Sequence, residues 1–340
     1  MPKNKNGGYI SMKRFITFIL VVAVLAMTLA GCGRSGNQAD SVSKPSPAGS
    51  DKLSIVTTIF PPYDFARQIT DGKADVTMLL PPASESHSFE PTPQDIIKIK
   101  NCDVFIYVGG ESDEWVNKVL KSIDTSKMKI ITLMDCVEVV QEETVEGMEE
   151  EEEEETVASD EPEEPEYDEH VWTSPKNAKL IVQKISTALC QADPKNAAAY
   201  KQNTKAYLSK LDELDAAFQD VVDNAQRKTI VFGDRFPFRY FADAYGLKYF
   251  AAFPGCSTET EASAATVKFL IDKIKAEKIP VVFHIELSNQ KMAQSISEST
   301  GAKVVLLHAC HNISKADFEK GVGYLDLMQQ NVQNLKEALQ

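Results

Sequence analysis

The strongest constraint on this chain is a strand–helix alternation that occurs twice, on either side of one long helical stretch. From Leu53 onward, short β-branched or apolar runs at 54–59, 74–80, 102–108 and 130–133 are separated by helical patterns beginning at Tyr63, Pro93 and Trp115. A second series runs from Lys228, with strands at 229–232, 249–253, 281–285 and 303–307 and helices at 238–245, 262–277, 291–300 and 324–339. Strands that alternate with helices make parallel sheets covered by helices. Between the two series, Leu208, Leu211, Leu214, Phe218 and Val221 recur at spacings of three and four within 196–226, which is one apolar helical face. A helix of ~30 residues is about 45 Å long. The expected fold is α/β: two lobes, each a parallel sheet flanked by helices, joined by one long backbone helix. The predicted boundaries are an N-terminal lobe at 51–140 that finishes at 169–195, a connecting helix at 196–226 and a C-terminal lobe at 227–340.

Both remaining regions are set by composition. After Met12, the residue taken as the working start, come Lys13 and Arg14, an apolar run from Phe15 to Leu29, and Ala30-Gly31-Cys32. A positive region, an apolar core and small residues make 1–31 a signal peptide. Leu29-Ala30-Gly31-Cys32 matches a bacterial lipobox, with Cys32 as the lipidated residue. The run is shorter than the ~20 apolar residues of a membrane span. Residues 32–50 have almost no large apolar side chain and read as a flexible tether. The protein is therefore expected at the cell membrane, lipid-anchored on its extracytoplasmic face. At 142–169 there are 17 acids and no base, so a formal charge of −14 leaves the rest of the chain at +3. Segment 141–168 is predicted to be a disordered acidic loop. Its reading is either a solvated linker or a weak collector of cations beside His170. The scattered lysines and arginines form no basic groove, which excludes a nucleic-acid partner.

Chemistry is sought among the five histidines, His87, His170, His284, His308 and His311. All lie near the ends of predicted strands or the starts of helices, in both lobes. Ligands bind outside the carboxyl ends of parallel strands, so a shared ligand set in the cleft between the lobes is expected.

Two segments carry a resemblance. Pro81-Pro82-Ala83-Ser84-Glu85-Ser86-His87-Ser88-Phe89-Glu90-Pro91-Thr92-Pro93, followed by Gln94-Asp95, and Asp168-Glu169-His170-Val171-Trp172-Thr173-Ser174-Pro175-Lys176-Asn177-Ala178 resemble the two N-lobe metal-ligand segments of the zinc/manganese solute-binding lipoproteins of bacterial ABC importers. The resemblance extends from Cys32 to Gln340, including Tyr324-Leu325-Asp326-Leu327-Met328. It implies two four-stranded lobes around one divalent metal, with His87 and His170 as neutral imidazole ligands suited to zinc. The family's third ligand position falls on Arg235, which has no lone pair to give; Asp234 is one residue away, as a ligand or as a group that orients one. The fourth position falls on His308, with His311 and Glu286 competing for the remaining place, and Glu286 has an ion pair with Arg235 or Lys291 as its other reading.

Setting Cys32 aside leaves Cys102, Cys136, Cys190, Cys256 and Cys310, an odd number that cannot all pair. A Cys256–Cys310 disulfide is implied by some relatives; Cys310 as a soft zinc ligand is the rival. The expected function is capture of zinc, with manganese as the alternative, and delivery to an ABC membrane permease by a monomer without turnover. A metallohydrolase would need a positioned base at an open metal position, for which only Glu286 offers itself, and there is no His-Glu-x-x-His. A surface adhesion or scaffold lipoprotein would leave the cleft empty.

Overall fold

The computed structural model describes residues 52–148, 166–257 and 261–340. The signal peptide, the tether with Cys32 and the middle of the acidic segment lie outside the described residues. In the N-terminal lobe, β1 (Leu53–Thr57), β2 (Ala74–Met78), β3 (Val104–Tyr107) and β4 (Lys129–Thr132) form a parallel sheet in the order β2-β1-β3-β4. Ile55 sits opposite Val76 on one side and Val104 on the other. Ile55, Val56, Val104, Phe105 and Ile106 are all buried, as central parallel strands covered on both faces must be. The lobe's helices are α1 (Phe60–Thr70), α2 (Pro93–Asn101) and α3 (Glu114–Ser122).

Two helices follow, α4 (Pro175–Ala192) and α5 (Ala197–Asp223). The 27 residues of α5 span about 40 Å. Its stripe of Tyr200, Tyr207, Leu211, Leu214, Phe218 and Val221 is buried, each large apolar side chain contributing about 1.5–3 kcal/mol relative to exposure. Helix α4 has its own stripe, Ala178, Ile181, Val182, Ile185 and Leu189, and packs along α5; the sequence reading gives 169–195 only as the end of the N-terminal lobe.

The C-terminal lobe contains β5 (Thr229–Val231), β6 (Lys248–Phe250), β7 (Val281–His284) and β8 (Lys303–Leu306), with helices α6 (Arg239–Tyr245), α7 (Ala264–Glu277), α8 (Lys291–Thr300), α9 (Lys315–Lys320) and α10 (Tyr324–Leu339). Its strands form two parallel pairs, β5 with β6 and β7 with β8. Among the described residues, a Phe232–Phe283 bridge links the pairs, where the Gly233 N–H donates to the Phe283 carbonyl at 2.9 Å.

The base of the acidic segment is ordered. Gln141 and Tyr167 form an antiparallel bridge, and the Asp168 N–H donates to the Val140 carbonyl at 3.0 Å. Met148 is buried in the main core, and Val140 and Val145 pack against it. The expectation of disorder over the whole of 141–168 is thus corrected at both ends, because a few apolar residues among the acids have a core to join.

The lobes are tied through loops. The Asn312 amide donates to the Pro81 and Ser84 carbonyls at 2.8 Å each, and the Trp172 indole N–H donates to the Ala309 carbonyl at 2.7 Å. The Tyr324 hydroxyl donates to the Trp172 carbonyl at 2.7 Å. These bonds join the His87 loop, the turn after His170 and the loop after β8.

Candidate metal site

His87 lies in the loop between β2 and α2, and the Thr-Pro-Gln-Asp sequence after it fixes where that loop ends. Pro93 occupies the first turn of α2, the Asp95 N–H donates to Thr92 Oγ1 at 3.3 Å, and Asp95 Oδ2 accepts from the Thr92 N–H at 3.0 Å. That is a reciprocal capping box with a proline at a position that needs no N–H. His87 Nδ1 is 2.9 Å from Ser112 Oγ. The Ser112 hydroxyl in turn donates to Glu169 Oε1 at 2.5 Å, and its N–H donates to Glu169 Oε2 at 3.1 Å. With the serine proton committed to Glu169, the Nδ1–H of His87 donates to Ser112, and Nε2 is left with its lone pair free. Gly110 makes this possible: a Cβ there would stand 2.1 Å from Glu169 Oε2.

His170 opens the 3-10 turn Val171–Thr173. Its N–H donates to Asp168 Oδ1 at 2.8 Å, and its Nδ1 is 3.1 Å from the same oxygen. His311 follows β8. Its N–H donates to Glu286 Oε1 at 2.8 Å, and its Nδ1 is 3.6 Å from that oxygen. All three rings therefore turn Nδ1 toward an oxygen, the arrangement by which a histidine is held for metal binding through Nε2. The ring centroids are 5.7 Å apart for His87 and His170, 5.2 Å for His87 and His311, and 4.6 Å for His170 and His311. One ligand nitrogen from each ring lies within 4.8 Å of the others. The buried Nε2 atoms of His170 and His311 find no hydrogen-bond partner among the described residues, a cost of about 1–3 kcal/mol each that a coordinated ion would remove.

Proton affinities differ across the triad. Burial, then the neighbouring His311 and His170, push His87 far below the ordinary imidazole value. Burial also lowers His311, outweighing Glu286. At His170 burial acts downward, but Asp168, Glu169 and Glu142 outweigh it and the net shift is upward. Burial would raise Glu286, yet His308 and His311 with the bonded N–H groups hold it at about 2.

The structure brings His87, His170 and His311 together and leaves the other predicted ligands outside that group. His308 is in neither group of ligand atoms: its Nδ1 accepts from the Cys310 N–H at 3.0 Å, and its backbone exchanges two bonds of 2.8 Å with the Asn331 amide, which together hold it in the turn. Glu286 is committed to the Ala309 and His311 N–H groups at 2.6 and 2.8 Å, and the ring nitrogens it faces are His308 Nδ1 at 3.5 Å and His311 Nδ1 at 3.6 Å; among the described residues it forms no ion pair with Arg235 or Lys291. Cys310 takes a left-handed φ of 63°, and this turn sends His311 instead of His308 toward His87. Asp234 accepts from the Arg235 and Ile285 N–H groups at 2.9 and 3.3 Å. Arg235 forms an ion pair with Glu85 at 3.2 Å, and His284 donates from Nδ1 to the Ile285 carbonyl at 2.8 Å.

The expected Cys256–Cys310 disulfide is absent: all five cysteines among the described residues are free thiols. Cys310 is fully buried with Sγ at 3.7 Å from the His308 carbonyl, whereas Cys256 lies by Glu169 and His170. Nor does Cys310 join either ligand group. Sequence reasoning missed Ser112, Glu169 and Gly110. Glu169 adjoins His170 within its motif, and Gly109-Gly110 after β3 signalled a close backbone approach, but nothing local linked either to His87.

The chain is similar to known proteins over most of its length. The family model described as "Zinc-uptake complex component A periplasmic" matches residues 55–338. The high-affinity zinc uptake system protein ZnuA of Bacillus subtilis is 34% identical over 321 residues, which are 94% of this chain and 97% of the relative. The zinc-binding lipoprotein AdcA of Streptococcus pneumoniae is 30% identical over 94% of this chain, which spans 60% of that longer protein. Among solved structures, the Zn(II)-bound ZnuA-like domain of S. pneumoniae AdcA superimposes with a TM-score of 0.69 at 30% identity, covering 85% of this chain and 99% of that one. The metal-dependent lipoprotein YcdH of B. subtilis gives 0.71 at 31% identity, over 85% of this chain and 100% of its own. With two α/β lobes, three buried imidazoles between them and a match over nearly all of the described residues, this chain belongs to the family of zinc-uptake complex component A.

Proposed function

We propose that this chain captures one zinc ion through His87, His170 and His311 and presents it to the membrane permease of an ABC importer, as cargo rather than as a catalytic metal. The observation that carries this reading is the pair of buried, unpartnered Nε2 atoms on His170 and His311 beside a His87 whose Nδ1 is tied to Ser112. Three neutral imidazoles favour zinc over manganese, which prefers oxygen donors. Zinc takes four ligands, so three protein nitrogens leave one position for a water or a neighbouring oxygen. Glu169 through Ser112, Asp168 and Glu286 fix the rings, and His308 serves as a rest for the Cys310 N–H. The chain acts as a monomer without turnover, held by lipid on Cys32 at the extracytoplasmic face of the cell membrane, with 32–50 as a flexible arm.

Elemental analysis with competitive zinc and manganese titration tests the reading, using wild type beside a variant carrying both His87→Ala and His170→Ala. One tightly held zinc per chain, lost in the variant, is the expected result. Protein without stoichiometric metal overturns capture, and a preference for manganese overturns the choice of ion.

A further inference from the structure

A second group of metal-ligating side chains adjoins the triad and shares His170 with it. Glu169, His170 and Cys256 offer ligand atoms that lie within 4.8 Å of one another. Cys256 is in the loop after β6, and that loop is held firmly against the site. Its Cys256 N–H donates to Glu142 Oε1 at 3.1 Å, Phe253 bridges Arg235, and Arg235 Nη1 donates to the Ser257 carbonyl at 3.1 Å. The backbone presses on the imidazole: a Cβ on Gly255 would stand 3.0 Å from His170 Cε1. The thiol is thus placed by its surroundings.

We propose that Glu169, His170 and Cys256 form a receiving station for zinc, which takes the ion first and passes it to His87 and His311 with His170 as the shared ligand. The proposal rests on His170 being a ligand of the triad. The donor chemistry argues for it, because thiolate and imidazole together select zinc, whereas carboxylates alone take calcium and magnesium as readily. Glu142 and Asp168 border the station, so its rim carries negative charge that attracts a cation to the thiol. In the metal-free protein, burial and the charges of Glu169, Glu142 and Asp168 keep the thiol protonated; on binding, the sulfur–metal bond replaces the S–H bond and the proton leaves to solvent. The two sets exclude each other. Glu169 holds His87 in place through Ser112, so a Glu169 that turns to an ion at the station releases His87, and an ion in the triad restores it.

Cobalt(II) reports the station, since sulfur-to-cobalt charge transfer gives a near-ultraviolet band that nitrogen and oxygen ligands do not. The full mature chain is titrated with cobalt as the His87→Ala/His311→Ala variant, with and without Cys256→Ser, and wild type is mixed with cobalt in a stopped-flow instrument. The expected result is a stable band in the double variant, its loss when Cys256→Ser is added, and in wild type a band that rises and then decays as the ion moves to the triad. No band in the double variant, or one that survives Cys256→Ser, overturns the station. A wild-type band that does not decay means one mixed site, and a wild type with no transient takes the station off the path; either overturns the relay. If the double variant does not fold, judged by circular dichroism, the wild-type transient and its loss in Cys256→Ser decide. Stoichiometric zinc in wild type is measured separately, so failure of the triad is seen apart from failure of the station.

Discussion

Replacing Glu286 by glutamine tests whether the third histidine is held by its surroundings or by its own backbone. The Glu286 carboxylate accepts the Ala309 and His311 N–H groups at 2.6 and 2.8 Å and stands 3.6 Å from His311 Nδ1. Glutamine keeps the shape but has a single oxygen, so one N–H faces an NH2 group and the charge is gone. A buried hydrogen bond to a charged group is worth about 1.5–3 kcal/mol. The carboxyl pKa points the same way, since it is held down at about 2, in favour of the ionised form. The metal-free variant should therefore be about 2–3 kcal/mol less stable in urea unfolding. Zinc affinity, read by competition with a chromophoric chelator, should fall about 10- to 100-fold, the usual cost of losing an outer partner of a ligating histidine. The sign with pH is set by a depressed carboxyl: the Glu286 contribution is complete above 4.5 and disappears as pH falls through about 2, so wild type and variant should converge in strong acid. A Glu286→Gln protein with wild-type zinc affinity and wild-type unfolding at neutral pH would refute the argument.

Other consequences are separately measurable. Because the pKa of His170 is raised above 6.5 in the metal-free protein while those of His87 and His311 are lowered, zinc competes chiefly with one proton, and affinity should climb by about tenfold per pH unit below the His170 pKa; isothermal titration between about pH 5.5 and 7.5 that finds no change contradicts this. The same raised pKa stabilises the metal-free fold below 6.5, and that contribution is lost as pH rises through the folded value. Gly110→Ala puts a methyl 2.1 Å from Glu169 Oε2 at a φ of −97° that alanine tolerates, so the effect is steric: about 1–3 kcal/mol of stability lost together with weaker zinc binding through Ser112 and His87, read by thermal unfolding and chelator competition. Leu211→Ala, in the fully buried stripe of α5, should cost about 2–5 kcal/mol in urea unfolding.

What the sequence determined by itself is local. Alternating strands and helices follow from runs of apolar residues a few positions long, the long helix from Leu211, Leu214 and Phe218 at helical spacing, and the start of α2 from Thr92, Pro93 and Asp95, so the α/β lobes and the connecting helix were legible. His87 and His170 were legible for the same reason, because each sits in a segment whose own residues shape it. Helix α4 was not assigned, although Ile181, Ile185 and Leu189 recur at helical spacing, and its packing along α5 is what shows it. The choice among His308, His311, Glu286 and Asp234 belonged to the tertiary structure. It was made by Glu286 and Asn331, 23 to 25 residues from the amides they hold, and by a left-handed turn at Cys310. The same holds for Cys256, placed near His170 and away from Cys310 by loops that meet across the lobes. Backbone N–H groups buried in a ligand loop must be satisfied by some side chain, and which side chain reaches them depends on how distant segments pack, which no local pattern contains.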